Sequence, residues 1–492
     1  VSDWETVIGL EVHCELATET KLFCSCPNDF GAEPNTYVCP VCLGLPGSLP
    51  VLNERAVEFA LRVGQALHCV VADESIFHRK NYFYPDMPKN FQISQYDEPI
   101  CGNGWLAVGG PDGVARQVGV ERAHLEEDTG KTAHVGGGGG RIHGADHSLV
   151  DYNRAGVPLL EIVSKPDLRS ADEARAYVAE LRSVLEAIGV SDVKMEEGSL
   201  RIDANISLRP VGAEPLGTRT EIKNMNSLRS LVRALEYEAA RQAEVLESGG
   251  AVTQETRHWD EDAGRTHSLR SKEEAYDYRY FPEPDLVPVV PSAEWRERVR
   301  AAMPELPSAR KARLMEAWGI SDLDAGVLVG SAGLADYAEA AVATGPPGSG
   351  RDVTNWVTGD LLGHMKETGA APSDLALSPD GLAELVRLVG DGTLSRPLAK
   401  EVLAAALGGV GSPAAIVAER GLAQVSDEGS LEAAVRAVLD AHPAEVERYR
   451  GGEDKDRKKL RGFFMGKVMA EMKGRGNPQV LNRLLDEALA GS

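Results

Sequence analysis

The chain has 492 residues, 43% of them hydrophobic and 26% charged, which is enough for several hydrophobic cores and so for two to four domains of roughly 100–200 residues each. Its 52 Lys and Arg against 75 Asp and Glu leave a formal charge of −23, which excludes nucleic-acid binding by general basicity and requires any polyanion to meet a local basic patch. No apolar run approaches the roughly 18 residues of a membrane span, Asp3 and Glu5 stand where a secretory leader is basic, and the seven cysteines are too few and too odd for a disulfide framework. The expectation is a protein of the cytosol or an organelle matrix with no membrane partner; the start at Val1 suggests a trimmed end.

Residues 1–292 alternate short apolar and polar segments broken by Gly and Pro, which predicts a sheet-dominated domain with inserted helices. Thr6 to His13 alternates as a half-buried strand, with Ile8, Leu10 and Val12 on one face and Gly9, Glu11 and His13 on the other. Next come Cys24-x-Cys26 and Cys39-x-x-Cys42, two close thiol pairs twelve residues apart around a loop rich in Gly, Pro and Asn. That spacing suits tetrahedral zinc, and four thiolates leave no open position, so a structural site is predicted. Cys14, Cys69 and Cys101 have no such partners and are expected to be small buried hydrophobes.

The segment from His78 to Gln95 interleaves Arg79, Lys80 and Lys89 with Tyr82, Phe83, Tyr84 and Phe91, a pattern able to hold phosphates and stack a base, or simply to pack on its own domain. Glu126-Glu127-Asp128 follows, and periodicity leaves open whether Glu126 or Glu127 points inward. Gly130-Lys131-Thr132 resembles the end of a P-loop, but Leu125 stands where that loop needs Gly, so a P-loop is excluded. Gly136 to Gly140 is expected at a hairpin tip. Glu161 lies inside the apolar run 157–163, a costly position for a carboxylate without a partner.

Leu200 to Leu208 repeats the alternation, with Arg201, Asp203, Asn205 and Ser207 on the polar face; after a turn, Thr218 to Lys223 is expected to return antiparallel with Glu221 near Asp203. Carboxylates that share a cavity repel, and divalent cations keep them ionised; oxygen ligands favour magnesium. Separate salt bridges are the plainer reading of each residue alone. Asn224 to Leu228 leads into a capped amphipathic helix.

Prolines 282, 284, 288 and 291 close this first domain. A helical domain is predicted over 293–345, with helices at 309–318 and 334–343; after the turn-rich 344–350, an all-α tail follows over 346–492 and ends in a helix at 478–489. Within the tail, Lys455 to Arg475 holds eight Lys or Arg against two acids, the best candidate for a polyanion contact.

Seven ordered motifs in the first domain carry a resemblance: Gly9-Leu-Glu-Val-His13, Cys39-Pro-Val-Cys-Leu-Gly-Leu-Pro-Gly47, Arg79-Lys-Asn-Tyr-Phe-Tyr-Pro-Asp86, His124-Leu-Glu-Glu-Asp128, Asp151-Tyr-Asn-Arg-Ala-Gly-Val-Pro158, Met195-Glu-Glu-Gly-Ser199 and Asp277-Tyr-Arg-Tyr-Phe-Pro-Glu-Pro-Asp285. Together with Gly462 to Met469 and an altered Lys473-Gly-Arg-Gly-Asn-Pro478 they resemble the B subunit of the aspartyl/glutamyl-tRNA(Asn/Gln) amidotransferases, over nearly the whole chain. The resemblance implies an α+β fold, an antiparallel-sheet cradle domain followed by a helical domain and a helical tRNA-contacting tail. It also implies use of ATP and magnesium to phosphorylate the side-chain carboxylate of mischarged Glu-tRNA(Gln) or Asp-tRNA(Asn), so that ammonia from a partner amidase displaces phosphate, and a small third subunit. By resemblance the magnesium and catalytic positions fall on Glu11, His13, Glu127, Glu161, Asp203 and Glu221, with structural zinc on Cys24, Cys26, Cys39 and Cys42. Lys80 and Tyr82 are expected at the nucleotide or aminoacyl end, and Lys455, Lys458, Lys459, Arg461 and Lys473 at the tRNA. The competing reading is a non-catalytic tRNA-binding scaffold with a structural ion; a further one is a metal phosphohydrolase that turns over ATP alone.

Overall fold

The structure is a computed structural model that describes residues 3–109, 115–136, 144–271, 275–331, 333–424, 427–472 and 474–490. Helices and an antiparallel-rich sheet make it an α+β protein, and it divides into two compact units, residues 1–307 and 308–492.

The strands of the first unit are β1 (Trp4–Glu15), β2 (Val70–Val71), β3 (His78–Asn81), β4 (Phe91–Ser94), β5 (Cys101–Gly109), β6 (Ala115–Glu127), β7 (Lys131–Val135), β8 (His147–Asp151), β9 (Pro158–Ser164), β10 (Leu200–Pro210), β11 (Thr220–Lys223), β12 (Glu255–Asp260), β13 (Arg265–Ser271) and β14 (Phe281–Pro282). Nine of them form one sheet in the order β13-β12-β11-β10-β1-β9-β6-β5-β2, while β14, β3 and β4 form a small second sheet and β7 and β8 a hairpin. Gly136 caps that hairpin's first strand; Gly137 to Gly140 of the expected tip lie outside the described residues.

The strongly alternating β1 runs through the middle of the large sheet, paired antiparallel with β10 on one side and β9 on the other. Its apolar face, Ile8, Leu10 and Val12, is fully buried and shares one core with three helices: α1 (Glu54–Ala66), α2 (Ala171–Ala187) and α3 (Leu228–Glu247). Tyr177 and Leu181 of α2 and Leu231 and Leu235 of α3 are among the core residues. Ser170 and Ser227 cap α2 and α3 by accepting from the Glu173 and Ser230 amides, so both helices begin where a hydroxyl satisfies an otherwise orphaned N–H. The pair β11–β12 is parallel, a geometry that requires a crossover, and α3 supplies it. With helices filling one side, the polar side chains of β1, β9, β10 and β11 gather on the other.

The domain divisions expected at 292/293 and 345/346 do not coincide with the packed cores. Helix α4 (Ala293–Ala301) belongs to the first unit, because Val299 lies in its core and Gln65 Nε2 donates to the Arg296 carbonyl at 2.9 Å. In the second unit one core runs from Leu314 to Val417 and joins Tyr337 and Ala341, before the Gly/Pro turn at 344–350, to Val353, Trp356 and Leu385 after it. That turn is a corner inside a helical unit. A separate core, Leu431 to Leu489, is built by α5 (Glu428–Ala441), α6 (Pro443–Gly451), α7 (Asp454–Glu471) and α8 (Pro478–Ala490). No helix among the described residues is long and apolar enough to cross a membrane.

Candidate active site and metal centres

The register of the central strands sets the site. Glu11 of β1 lies opposite Asp203 of β10, and His13 opposite Glu161 of β9; Asn205 pairs with Glu221 of β11, and His124 of β6 with Glu161. Polar residues two apart on each strand therefore form a band across five adjacent strands, β11-β10-β1-β9-β6.

Two groups within this band bring ligand atoms within 4.8 Å of one another: Glu11, Asp203 and Glu221, and His13, Glu126 and Glu161. In the second group His13 Nε2 lies 3.7 Å from Glu126 Oε1 and 3.6 Å from Glu161 Oε2, and His124 Nε2 lies 3.4 Å from Glu161 Oε2. Burial opposes the imidazolium of His13, but the hydrogen bond and charge of Glu161, with the charges of Glu126 and Asp203, outweigh it and raise its pKa to about 9. Burial likewise opposes ionisation of Glu161, yet the charge of His124, the hydrogen bond and charge of His13 and the charge of Lys80 hold it well below the usual carboxylate range. In the first group Lys223 Nζ pairs with Asp203 and lies 3.4 Å from Glu221 Oε1, Asn205 donates to Glu11 at 2.9 Å, and Thr256 donates to Glu221 at 2.7 Å. Burial disfavours the Lys223 ammonium, but Asp203 and Glu221 raise its pKa above the ordinary value. The first group sets three carboxylates against the one ammonium of Lys223, and the second sets two carboxylates against His13, with His124 and Lys80 beside them; once His13 gives up its proton, both offer the oxygen and imidazole donors that a divalent cation takes.

Glu127 stands apart from these groups. Its carboxylate pairs with Lys89 and accepts from the Ile93 amide at 2.8 Å, in a cavity of about 310 Å³ that also borders Cys24, Cys42, Arg79 and Glu283. Of the two glutamates it is Glu126, and not Glu127, that lies beside His13 and Glu161. The reason is a bulge in β6: between Val120 and Arg122 the register with β9 shifts by a residue, so Val118 and Val120 face the core before it and Ala123 and Leu125 after it. His124 and Glu126 are thereby turned onto the polar face. Residues not singled out from sequence as site members are Glu126, His124 and Lys223; the adjacent apolar pair Ala123 and Leu125 is the signal that locates the first two.

Lys80 and Tyr82 border the His13 group. The Lys80 ammonium helps hold Glu161 ionised and sits 4.8 Å from the Tyr278 ring centroid; burial, with the charges of Glu126 and Asp86, raises the Tyr82 hydroxyl above its usual pKa. At the other end of the band, a cavity of about 490 Å³ opens beside Glu11, lined by Gly9, Ser164, Pro166, Asn205 and Arg219.

The four cysteines of the loop converge, with sulfurs within 4.8 Å of one another. Cys39 and Cys42 Sγ are 3.9 Å apart, far beyond a disulfide at about 2.05 Å and close to the ~3.8 Å edge of a tetrahedron with 2.3 Å zinc–sulfur bonds. The hydrogen bond from Cys24 lowers the Cys42 thiol to about 5 against the opposing effect of burial, with help from the Cys39 backbone and Lys21. Lys21 is 1% exposed, and its ammonium donates to the Tyr37 and Tyr152 carbonyls at 2.8 and 3.3 Å. The arrangement fits a zinc tetrathiolate with a buried counter-ion. Cys14 and Cys101 are buried as expected, and Cys69 is partly so.

In the second unit Lys455, Lys458 and Lys459 are exposed on one side of α7, whose Leu460, Phe464 and Val468 enter the core. Arg461 is engaged by Asp486 in two bonds of 2.6 and 2.8 Å, and Lys473 lies outside the described residues.

A sheet whose polar face holds two cation-ready carboxylate groups, beside a cysteine-built loop, defines a catalytic unit of the kind described as the GatB/GatE catalytic domain, and that family profile matches residues 6–297. A second profile, the GatB domain, matches residues 336–489. The chain belongs to the GatB family. It is 54% identical, over 99% of its own length and 96% of the relative's, to the B subunit of the aspartyl/glutamyl-tRNA(Asn/Gln) amidotransferase of Frankia casuarinae. Against the B subunit of the same name from Moorella thermoacetica it is 53% identical, over 99% of this chain and the whole of the relative. Against that of Nocardia farcinica it is 52% identical, over 99% of this chain and 96% of the relative.

Proposed function

We propose that this chain is the carboxylate-activating subunit of a bacterial, cytoplasmic tRNA-dependent amidotransferase, converting mischarged Glu-tRNA(Gln) or Asp-tRNA(Asn) to Gln-tRNA(Gln) or Asn-tRNA(Asn) at the expense of ATP. The side-chain carboxylate oxygen attacks the γ-phosphorus and ADP leaves; neutral ammonia then attacks the acyl carbon and inorganic phosphate leaves. The ammonia comes from a partner amidase subunit, held with this chain by a small third subunit. A carboxylate has no good leaving group for ammonia, whereas an acyl phosphate does, which is the chemical reason for the ATP.

The observation that carries the reading is the band of charged ligands across β11-β10-β1-β9-β6, with a cavity at its Glu11 end. That cavity suits the nucleoside of ATP, since Gly9 brings no side chain into it and Asn205 and Arg219 line it with polar groups. Glu11, Asp203 and Glu221, and His13, Glu126 and Glu161, would hold magnesium, which supplies charge neutralisation on the transferred phosphoryl. Lys223 ties Asp203 and Glu221 together, and His124 orients Glu161. Lys80, whose charge reaches Glu161, would meet the incoming carboxylate or phosphoryl oxygen. Zinc on Cys24, Cys26, Cys39 and Cys42 would fix the loop behind Lys89 and Glu127. Lys455, Lys458 and Lys459 offer the tail's phosphate contacts, while Arg461, engaged by Asp486, stiffens the helical packing.

The test is ADP release by the complex assembled with its amidase and small partner, with mischarged tRNA and magnesium but no glutamine. ADP formation that requires the mischarged tRNA, and that Asp203→Asn abolishes while tRNA binding persists, is expected. A complex that binds the tRNA yet forms no ADP, even with ammonium salt, would make the chain a scaffold.

A further inference from the structure

Beyond Lys80 and Tyr82, the edge of the His13 group carries a run of aromatic rings that the phosphoryl chemistry does not use. Tyr82 has its ring centroid 6.2 Å from both Tyr84 and Tyr278, Tyr278 lies 6.2 Å from Tyr280, and Tyr280 stacks on Tyr96 at 4.4 Å and 11°. The inner rings belong to the site: burial and the charge of Glu126 raise the hydroxyls of both Tyr82 and Tyr280. The outer rings do not. Phe83 is 70% exposed and Tyr84 50% exposed, and the Arg279 guanidinium lies 5.8 Å from the Phe83 ring centroid.

This edge is built. Arg279 is held at φ +48°, a left-handed conformation rare for a residue with a side chain, and Asn81 Nδ2 donates to the Arg279 carbonyl at 2.9 Å and fixes it there. An exposed phenylalanine contributes little to folding, and one set between tyrosines with Arg279 and Lys80 at hand has the makeup of a platform for single-stranded nucleic acid, where bases stack on rings and cations meet the backbone. In a chain of net charge −23, cations collected beside bare rings point to an anionic, base-bearing occupant. ATP has its own cavity at the opposite, Glu11 end of the band.

We propose that Phe83, Tyr84 and Arg279 form a stacking site for the unpaired 3′-terminal nucleotides of the aminoacyl-tRNA. The inference rests on the carboxylate-activation reading, since it is the aminoacyl ester at that terminus that must deliver its carboxylate to the Glu126–Glu161 end. The site reads the single strand by stacking, so it accepts either mischarged tRNA.

The test uses the assembled complex and a tRNA carrying 2-aminopurine in place of its terminal adenine, whose fluorescence falls when the base stacks. Binding to the native complex should quench it, and Phe83→Leu, which keeps apolar bulk but removes the ring, should abolish most of the quench. The same variant should raise the KM for mischarged tRNA by about 5- to 150-fold, the range for loss of one base–aromatic stack, with the KM for ATP unchanged. Tyr84→Leu, at a second exposed position, should give the same pattern. Unchanged quench and KM in both variants would overturn the proposal. So would a rise in the KM for ATP alone, which would put the adenine of ATP on these rings, or loss of a partner subunit with the quench intact, which would make them a protein interface. The quench is read without turnover, so a native complex that stacks the base but forms no tRNA-dependent ADP would defeat the activation reading and leave the stacking site standing.

Discussion

The two carboxylate groups should bind divalent cations with different pH dependence. His13 is raised to about 9 in the metal-free protein by Glu161 and Glu126, so near neutral pH it carries a proton that a metal must displace. At pH 7 the site lies about two units below that pKa, which weakens apparent binding roughly 100-fold, or about 3 kcal/mol, relative to the deprotonated site. Affinity there should rise about tenfold per pH unit from pH 6.5 and level off above pH 9, with close to one proton released per ion. Glu11, Asp203 and Glu221 present carboxylates alone, so their affinity should change little over that interval. Manganese titrations followed by electron paramagnetic resonance, with calorimetry in buffers of different ionisation enthalpy, separate the two classes. His13→Asn should remove the steep class and spare the flat one. Two pH-independent classes, or no proton release in the native protein, would refute the coupling of His13 to Glu161 and Glu126.

The bulge in β6 predicts that Glu126→Gln removes the pH-dependent metal class and tRNA-dependent ADP formation, whereas Glu127→Gln, whose carboxylate is engaged by Lys89 and the Ile93 amide, leaves that metal class in place; the same titrations check both. The purified chain should hold close to one zinc per molecule by elemental analysis, and Cys42→Ser should lose it and lower thermal stability, because the 24–42 loop has no regular structure of its own. Lys458→Ala and Lys459→Ala should each weaken tRNA binding and reduce its salt slope by about one, whereas Arg461→Ala should leave that slope largely unchanged and lower the melting temperature, as read by binding at several salt concentrations and by thermal unfolding.

Strand phase made much of the site legible in the sequence. The alternation of β1 put Glu11 and His13 on one face, and that of β10 added Asp203; pairing then needed only the turn before Thr220, although β11 meets Glu221 with Asn205 and not directly with Asp203. The cysteine spacing identified the loop without any strand argument. What local pattern did not reveal depends on events between strands. The β6 bulge reverses the alternation within a single strand, so the phase of Val118 and Val120 carried forward points Glu127 to the polar face, and only the local pair Ala123 and Leu125 points to Glu126. Packing adds to the domain divisions what composition does not carry: composition changes near 292 and 345, while Val299 lies in the first core and the Gly/Pro corner at 344–350 joins helices that pack on one another. Lys223 was visible beside Glu221, but its role between two carboxylates is a property of the assembled sheet.

The reversed phase of β6 also sets which genetic changes the chain can absorb. Substitutions along the strand alter one contact each. Loss of one residue between Val120 and Ala123 would remove the bulge and still leave Ala123 and Leu125 on the core face, whereas gain of one residue between Ala123 and Leu125 would rotate everything beyond it by half a turn. Leu125 would then face the charged band, and Glu126 would point into the hydrocarbon between sheet and helices. Length just beyond the bulge is under tighter constraint than length at it, and a one-codon insertion beside His124 is a more damaging lesion than replacement of most of the side chains around it.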